Sequence, residues 1–374
     1  MQRRFAALIL ILLIALSALC PAALSEAAPL ATQTVEPTQP PRDYSQLTAD
    51  WLDCQSAVLI DADSGNVLFA KDDKIRMHPA STTKIMTGLL VCEAGEADRC
   101  VTVPSLAVGL EGSSMYLKRG ETLTRRDLLY GMMLVSGNDA ATALACHVAG
   151  STERFAALMN EKAARLGMSN THFVNPHGLS ENGHYSTARD MARLMEYCME
   201  DPAFAEIDAM KSCTAGGKLL VNHNRLLDLC PGCVGGKTGF TEAAGRCLVS
   251  CCEREGTRLV CVTLSAPDDW NDHMGLYGWA YSRCTARSVT DGLKFSVPVI
   301  SGESRWAYLA PEEDKSLFLP ADMEIKLTAE LPWFVFAPVE AGKKAGKVTV
   351  SVDGKCLAEY YLVYTDTVPL KRGK

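Results

Sequence analysis

The hydropathy pattern of this chain changes character once, near Val289, and that change limits the folds open to it. Before it, apolar residues recur at helical spacing as well as in strand-like runs. After it only short alternating runs remain, at 325–327, 348–352 and 359–363, broken by Pro and Gly. A helix buries a stripe and a strand buries a face, so the two stretches need different packing partners. About 345 residues lie beyond the N-terminal leader, more than one hydrophobic core usually serves, and two domains are expected.

The leader itself reads as an export signal. Arg3 and Arg4 precede an apolar run over 5–19, and small residues then offer a cleavage site after Ala27. The run is shorter than the roughly 20 residues a spanning helix needs. Cys20 is no lipidation site, because Leu19 stands before it where a small residue is wanted. Residues 28–49, with four prolines, form a solvated linker. A net charge of -7 and a pI near 5.6 argue against nucleic acid, which draws its affinity from clustered Lys and Arg. Fifteen cysteines would suggest a disulfide framework in a short secreted chain, but this chain can bury a core without one. Cys251 and Cys252, in an apolar run, read as small buried hydrophobes. Cys92 with Cys100, and Cys230 with Cys233, are near enough in sequence to pair, and spacing leaves that open. No second CxxC follows Cys230 and Cys233, so no metal site is expected.

Runs at 57–61 and 67–70, around a turn with Gly65 and Asn66, predict a hairpin. Thr124 with Asp127 and Thr187 with Asp190 predict helix starts of the capping-box kind. The stretches 246–252 and 258–266 predict a second hairpin, and 269–284 a last helix. The expected class is α+β: an antiparallel sheet flanked by helices with a helical subdomain, then a small β domain.

Three short motifs carry chemistry. In Ser81-Thr82-Thr83-Lys84 a spacing of three puts serine and lysine on one helical face, so a lysine stripped of its proton by burial can activate the hydroxyl. Ser136-Gly137-Asn138 supplies a hydroxyl and an amide from a compact bend between helices. Lys237-Thr238-Gly239, followed by Phe240, offers a lysine and a threonine to a carboxylate and a glycine to a closely approaching backbone.

Together these motifs resemble the set of the penicillin-binding proteins and class A β-lactamases. With the surrounding His78-Pro79-Ala80-Ser81, Leu134-Val135-Ser136-Gly137-Asn138-Asp139, Phe173-Val174-Asn175-Pro176-His177-Gly178 and Gly235-Gly236-Lys237-Thr238-Gly239, the chain looks like the low-molecular-mass serine D-Ala-D-Ala carboxypeptidases over 51–283. The resemblance implies Ser81 as nucleophile, Lys84 as its base and Ser136 as proton relay. It implies Asn138 on the peptide backbone, Lys237 and Thr238 on the terminal carboxylate with Gly239 beside them as a substrate-binding residue, and the N–H groups of Ser81 and Phe240 as oxyanion hole. Peptidoglycan stem peptides and β-lactams are the implied partners, with no cofactor and no nucleic acid. The protein would act on the wall side of the cytoplasmic membrane, with peripheral membrane or wall contact left to the C-terminal domain. No Glu-x-x-Leu-Asn segment lies between Asn138 and Lys237, which favours a peptidase over a β-lactamase. The same motifs would also suit an endopeptidase or a silent muropeptide-binding protein. His177 and His184 are expected to be structural. The implied partition is 1–27 signal, 28–49 linker, 50–286 catalytic domain, 287–368 β domain and 369–374 tail, and the stretch 365–374 reads as too short and Pro-interrupted for an amphipathic anchor helix.

Overall fold

The computed structural model describes residues 52–372, so the leader, Cys20 and the whole linker fall outside it. Strands β1 (Ser56–Asp61) and β2 (Val67–Lys71) form the first hairpin, as the turn chemistry predicts. They join β7 (Cys233–Thr241), β8 (Gly245–Arg254) and β9 (Thr257–Leu264) in a five-stranded antiparallel sheet of order β2-β1-β9-β8-β7. Two short ribbons, β3 (Cys100–Thr102) with β4 (Thr122–Thr124) and β5 (Ser212–Ala215) with β6 (Lys218–Val221), stand apart from it. Three-residue and four-residue strands are too brief for periodicity to reveal.

Both faces of the large sheet are covered, which explains its nearly continuous apolar strands. On one face Val58, Ile60, Val249 and Val262 meet helices α1 (Lys84–Glu93), α2 (Arg125–Leu134), α3 (Asn138–Ala149), α4 (Thr152–Arg165), α5 (Ala188–Cys198) and α6 (Pro202–Asp208) in one large core. On the other, Leu59, Leu248, Cys252 and Cys261 meet α7 (Leu226–Leu229) and α8 (Asp269–Arg283). Cys251 and Cys252 are fully buried among these side chains. All fourteen cysteines in the described residues are free thiols, so neither Cys92 with Cys100 nor Cys230 with Cys233 is bridged.

The helix starts follow the caps. Thr124 accepts from Asp127 N while the Asp127 carboxylate accepts from Thr124 N, a reciprocal capping box, and Thr187 accepts from Asp190 N. Beyond α8 the described residues form strands joined by turns, with no helix among them. β10 (Cys284–Ser288) pairs with β13 (Ser316–Pro320). A six-stranded sheet runs β14 (Lys326–Glu330), β16 (Lys344–Val352), β17 (Lys355–Tyr364), β12 (Trp306–Pro311), β11 (Phe295–Ile300) and β15 (Val335–Phe336). Phe318 of β13 packs into the second core against Tyr281, with ring centroids 6.2 Å apart. No helix among the described residues is long and apolar enough to cross a membrane.

Candidate active site

Ser81 sits in a short 3₁₀ turn, Ala80–Thr83, that runs directly into α1, so Lys84 is the first residue of the helix proper. The three-residue spacing survives this change of helix type, and Lys84 Nζ lies 2.8 Å from Ser81 Oγ. Nζ also donates to Asn138 Oδ1 at 2.7 Å and to the His177 carbonyl at 2.7 Å. Lys84 is fully buried, and burial, then the neighbouring Lys237 charge, pushes its pKa well below that of an ordinary lysine, with Asp139 opposing. A neutral amine has two N–H groups and one lone pair. In that form the two carbonyl oxygens would take the N–H groups, leaving the lone pair for the Ser81 hydroxyl.

Each contact has a structural support. The Phe173-to-Leu179 loop presents the His177 carbonyl because Gly178, at φ +88°, lies against the serine turn; a Cβ there would stand 1.9 Å from Ala80 O. Asn175 Oδ1 accepts from the N–H groups of His177 and Gly178 and shapes the bend. His177 and His184 are buried and held neutral, at about 3 and about 4, chiefly by burial. His184 bridges Thr83 Oγ1 and the Val174 N–H and so holds loop to turn, while the His177 ring accepts from the Leu179 N–H inside its own loop.

Ser136 occupies the bend between α2 and α3 at φ +61°, a conformation uncommon outside glycine, and it is buried. Asn138 opens α3, and its amide nitrogen donates to Glu111 O at 2.6 Å. Next to it Asp139 accepts from the N–H groups of Met115 and Leu117 and from Ser114 Oγ, tying the 111–117 loop to the rim. Its role was not legible in sequence, since a carboxylate beside Asn138 looks like first-turn helix chemistry.

β7 is an edge strand of the large sheet, and its free side runs past the serine turn. A Cβ on Gly239 would lie 2.9 Å from Ser81 N, so glycine is what lets the strand come this close. Lys237 is buried with its Nζ 3.1 Å from Thr238 O, and its pKa falls to about 8 through burial, opposed by Asp208. Ser180 Oγ and Thr241 Oγ1, 2.9 Å apart, join the loop to the strand. Ser81, Ser136, Asn138, Thr238, Gly239 and Phe240 all line one cleft of about 490 Å³. Arg246, paired with Asp269 at 2.7 Å, lines the same cleft; it belongs to none of the three motifs.

A serine hydroxyl on a desolvated lysine, beside a second buried lysine on an open sheet edge, marks a penicillin-interacting serine hydrolase working through an acyl-enzyme. The D-alanyl-D-alanine carboxypeptidase model of peptidase family S11 matches residues 43–268, and the C-terminal domain of penicillin-binding protein 5 matches 288–370. The chain belongs to this family of serine-type D-alanyl-D-alanine carboxypeptidases. It is 34% identical over 325 residues to the D-alanyl-D-alanine carboxypeptidase DacF of Bacillus subtilis, covering 82% of this chain and 84% of that one. It is 32% identical over 340 residues to DacA of Escherichia coli, covering 85% and 84%. The crystal structure of penicillin binding protein 5 from Haemophilus influenzae superposes with a TM-score of 0.76 at 30% identity, over 89% of this chain and 100% of that one.

Proposed function

We propose that the chain removes the terminal D-alanine from peptidoglycan stem peptides, with Ser81 as nucleophile and Lys84 as its base. The observation that carries this is the Lys84 amine, held by two carbonyl oxygens with its remaining valence toward Ser81 Oγ. Lys84 takes the hydroxyl proton as Oγ bonds to the penultimate carbonyl carbon. The peptide C–N bond breaks, Ser136 passes a proton to the departing amine, and water hydrolyses the ester. The N–H groups of Ser81 and Phe240 stabilise the tetrahedral oxyanion, where loss of one donor costs about 3 kcal/mol. Asn138 and the open edge of β7 hold the peptide backbone, and Lys237 and Thr238 grip the terminal carboxylate. A β-lactam, with its own carboxylate and strained amide, acylates the same serine.

Mass spectrometry of a stem pentapeptide incubated with the protein should show loss of one D-alanine. Converting the terminal carboxylate to an amide should lower kcat/KM by about 10²-fold, as expected for losing two charge-assisted hydrogen bonds. Equal turnover of acid and amide would refute the Lys237 and Thr238 assignment. Release of cross-linked dimers into monomers without free D-alanine would instead indicate an endopeptidase.

We also assign 50–286 to the catalytic unit and 287–368 to the β domain, supported by family matches that divide between 268 and 288. Residues 1–27 would direct export. On the β domain, Trp333 is 92% exposed and Phe336 66%, with Phe334 edge-on to Phe336, a surface suited to membrane or wall contact. Cell fractionation checks both. Protein lacking 1–27 is expected in the envelope fraction, shifted to the soluble exported fraction by Trp333→Ala with Phe336→Ala. Full-length cytosolic protein would exclude export, and an unshifted double variant would exclude the aromatic contact.

A further inference from the structure

The glycine pair that precedes Lys237 has a use the reaction above does not explain. Gly235 lies against Asp208, the last residue of α6: a Cβ on Gly235 would stand 2.3 Å from Asp208 Oδ2. On Gly236, at φ +150°, a Cβ would stand 2.5 Å from Val249 O and 2.9 Å from Asn224 Nδ2. Any side chain at either position would displace these groups. Gly235 therefore clears space for a carboxylate beneath the strand, two residues before the lysine, and Gly236 keeps the strand close to its neighbours.

That carboxylate is 1% exposed. The Gly236 N–H favours its charged form, while Oδ2 has no hydrogen-bond partner among the described residues. A buried, half-satisfied carboxylate is expensive unless a charge answers it. The answering charge is Lys237, also 1% exposed, whose ammonium has only the Thr238 carbonyl as a hydrogen-bond acceptor among the described contacts. Along β7 the order is Gly235 on Asp208, then Lys237, then Gly239 on Ser81.

We propose that Asp208 is the positioning residue for Lys237: its buried carboxylate, once ionised, is the counter-charge that keeps the ammonium protonated next to the cleft-lining Thr238 and ready for the substrate's terminal carboxylate. This rests on the reading of Lys237 given above. Without Asp208, Lys237 faces burial together with the cationic forms of Lys84 and His223, all of which favour proton loss. Around Asp208 itself stand Cys198, Cys233 and Cys251, thiols whose ionisation burial and this carboxylate both oppose, so they add no competing charge. The sign follows. Lys237 binds carboxylate as a cation, Asp208 raises its proton affinity, and removing that charge moves the loss of activity to lower pH.

Asp208→Asn keeps the shape and the acceptor for Gly236 N–H. Above pH 7 its KM for a peptide ending in D-Ala-D-Ala should rise about 10-fold with kcat nearly unchanged, and the alkaline limb of kcat/KM should move down by about one pH unit. The same peptide ending in an amide should show neither change. An unmoved alkaline limb, or equal losses with acid and amide, would overturn the proposal. Lys237→Gln separates the two readings. If it leaves the preference for acid over amide intact, the assignment of Lys237 falls; if it abolishes that preference while Asp208→Asn does nothing, only the role of Asp208 falls. Should Asp208→Asn fold poorly, an NMR titration of the Lys237 ε-carbon in the unmodified protein decides. Its shift should respond as Asp208 ionises near pH 7, where burial places that group, and a curve without that response rejects the coupling.

Discussion

Replacing Ser81 with alanine is expected to abolish the covalent penicillin adduct and to lower peptide turnover by about 10⁴-fold or more. The size of the effect follows from the geometry. The Lys84 amine, already committed to Asn138 Oδ1 and the His177 carbonyl, has its remaining valence directed at Ser81 Oγ. Ser136 lines the same cleft, but it sits on a different bend whose backbone φ of +61° fixes where its hydroxyl can go. A stand-in nucleophile would need that bend rebuilt. The alanine variant should fold, because only one hydroxyl is lost from a half-buried position. Labelling with fluorescent penicillin, alongside thermal melting, reads both quantities. A surviving adduct on the folded variant would sink the assignment.

The second large effect is expected at Lys84. Lys84→Met keeps the bulk and removes the base, and acylation should slow by about 10²-fold to 10⁴-fold, the usual worth of a positioned proton acceptor. Lys84→Arg should be no better, since a guanidinium keeps its proton at every working pH. Lys84→Met also leaves the Asn138 and His177 oxygens short of a donor, at about 1–3 kcal/mol for each buried acceptor, so its melting temperature should fall as well. Stopped-flow acylation by a chromogenic cephalosporin measures the rate free of deacylation. Acylation within about tenfold of the unmodified protein would remove Lys84 from the role of base.

The large features of the fold were legible because each has a local cause. The 56–61 and 67–71 hairpin follows from a Gly-Asn turn, the helix at Arg125 from its capping box, and the site from side chains whose chemistry demands fixed spacing. The remainder depends on contacts between distant segments. The His177 carbonyl is a backbone group, and any residue could present it. Asp139 resembles an ordinary first-turn acid until the 111–117 loop is seen to fold onto it. Asp208 lies 29 positions before Lys237, and nothing in α6 announces that its last residue reaches under β7. Cysteine spacing also misleads where secondary structure intervenes. Cys92 belongs to α1 and Cys100 to β3, so nearness along the chain brings no bond.

The distribution of thiols has a practical use. Of the fourteen described cysteines only Cys100 and Cys356 are exposed, one in the helical part of the catalytic region and one at the β16–β17 turn of the C-terminal sheet. Dye chemistry under mild conditions would favour these two places, giving a donor and acceptor pair that straddles the two parts of the molecule without touching the cleft. Movement of one part against the other during catalysis could then be followed by energy transfer on the native sequence, with no engineered attachment point.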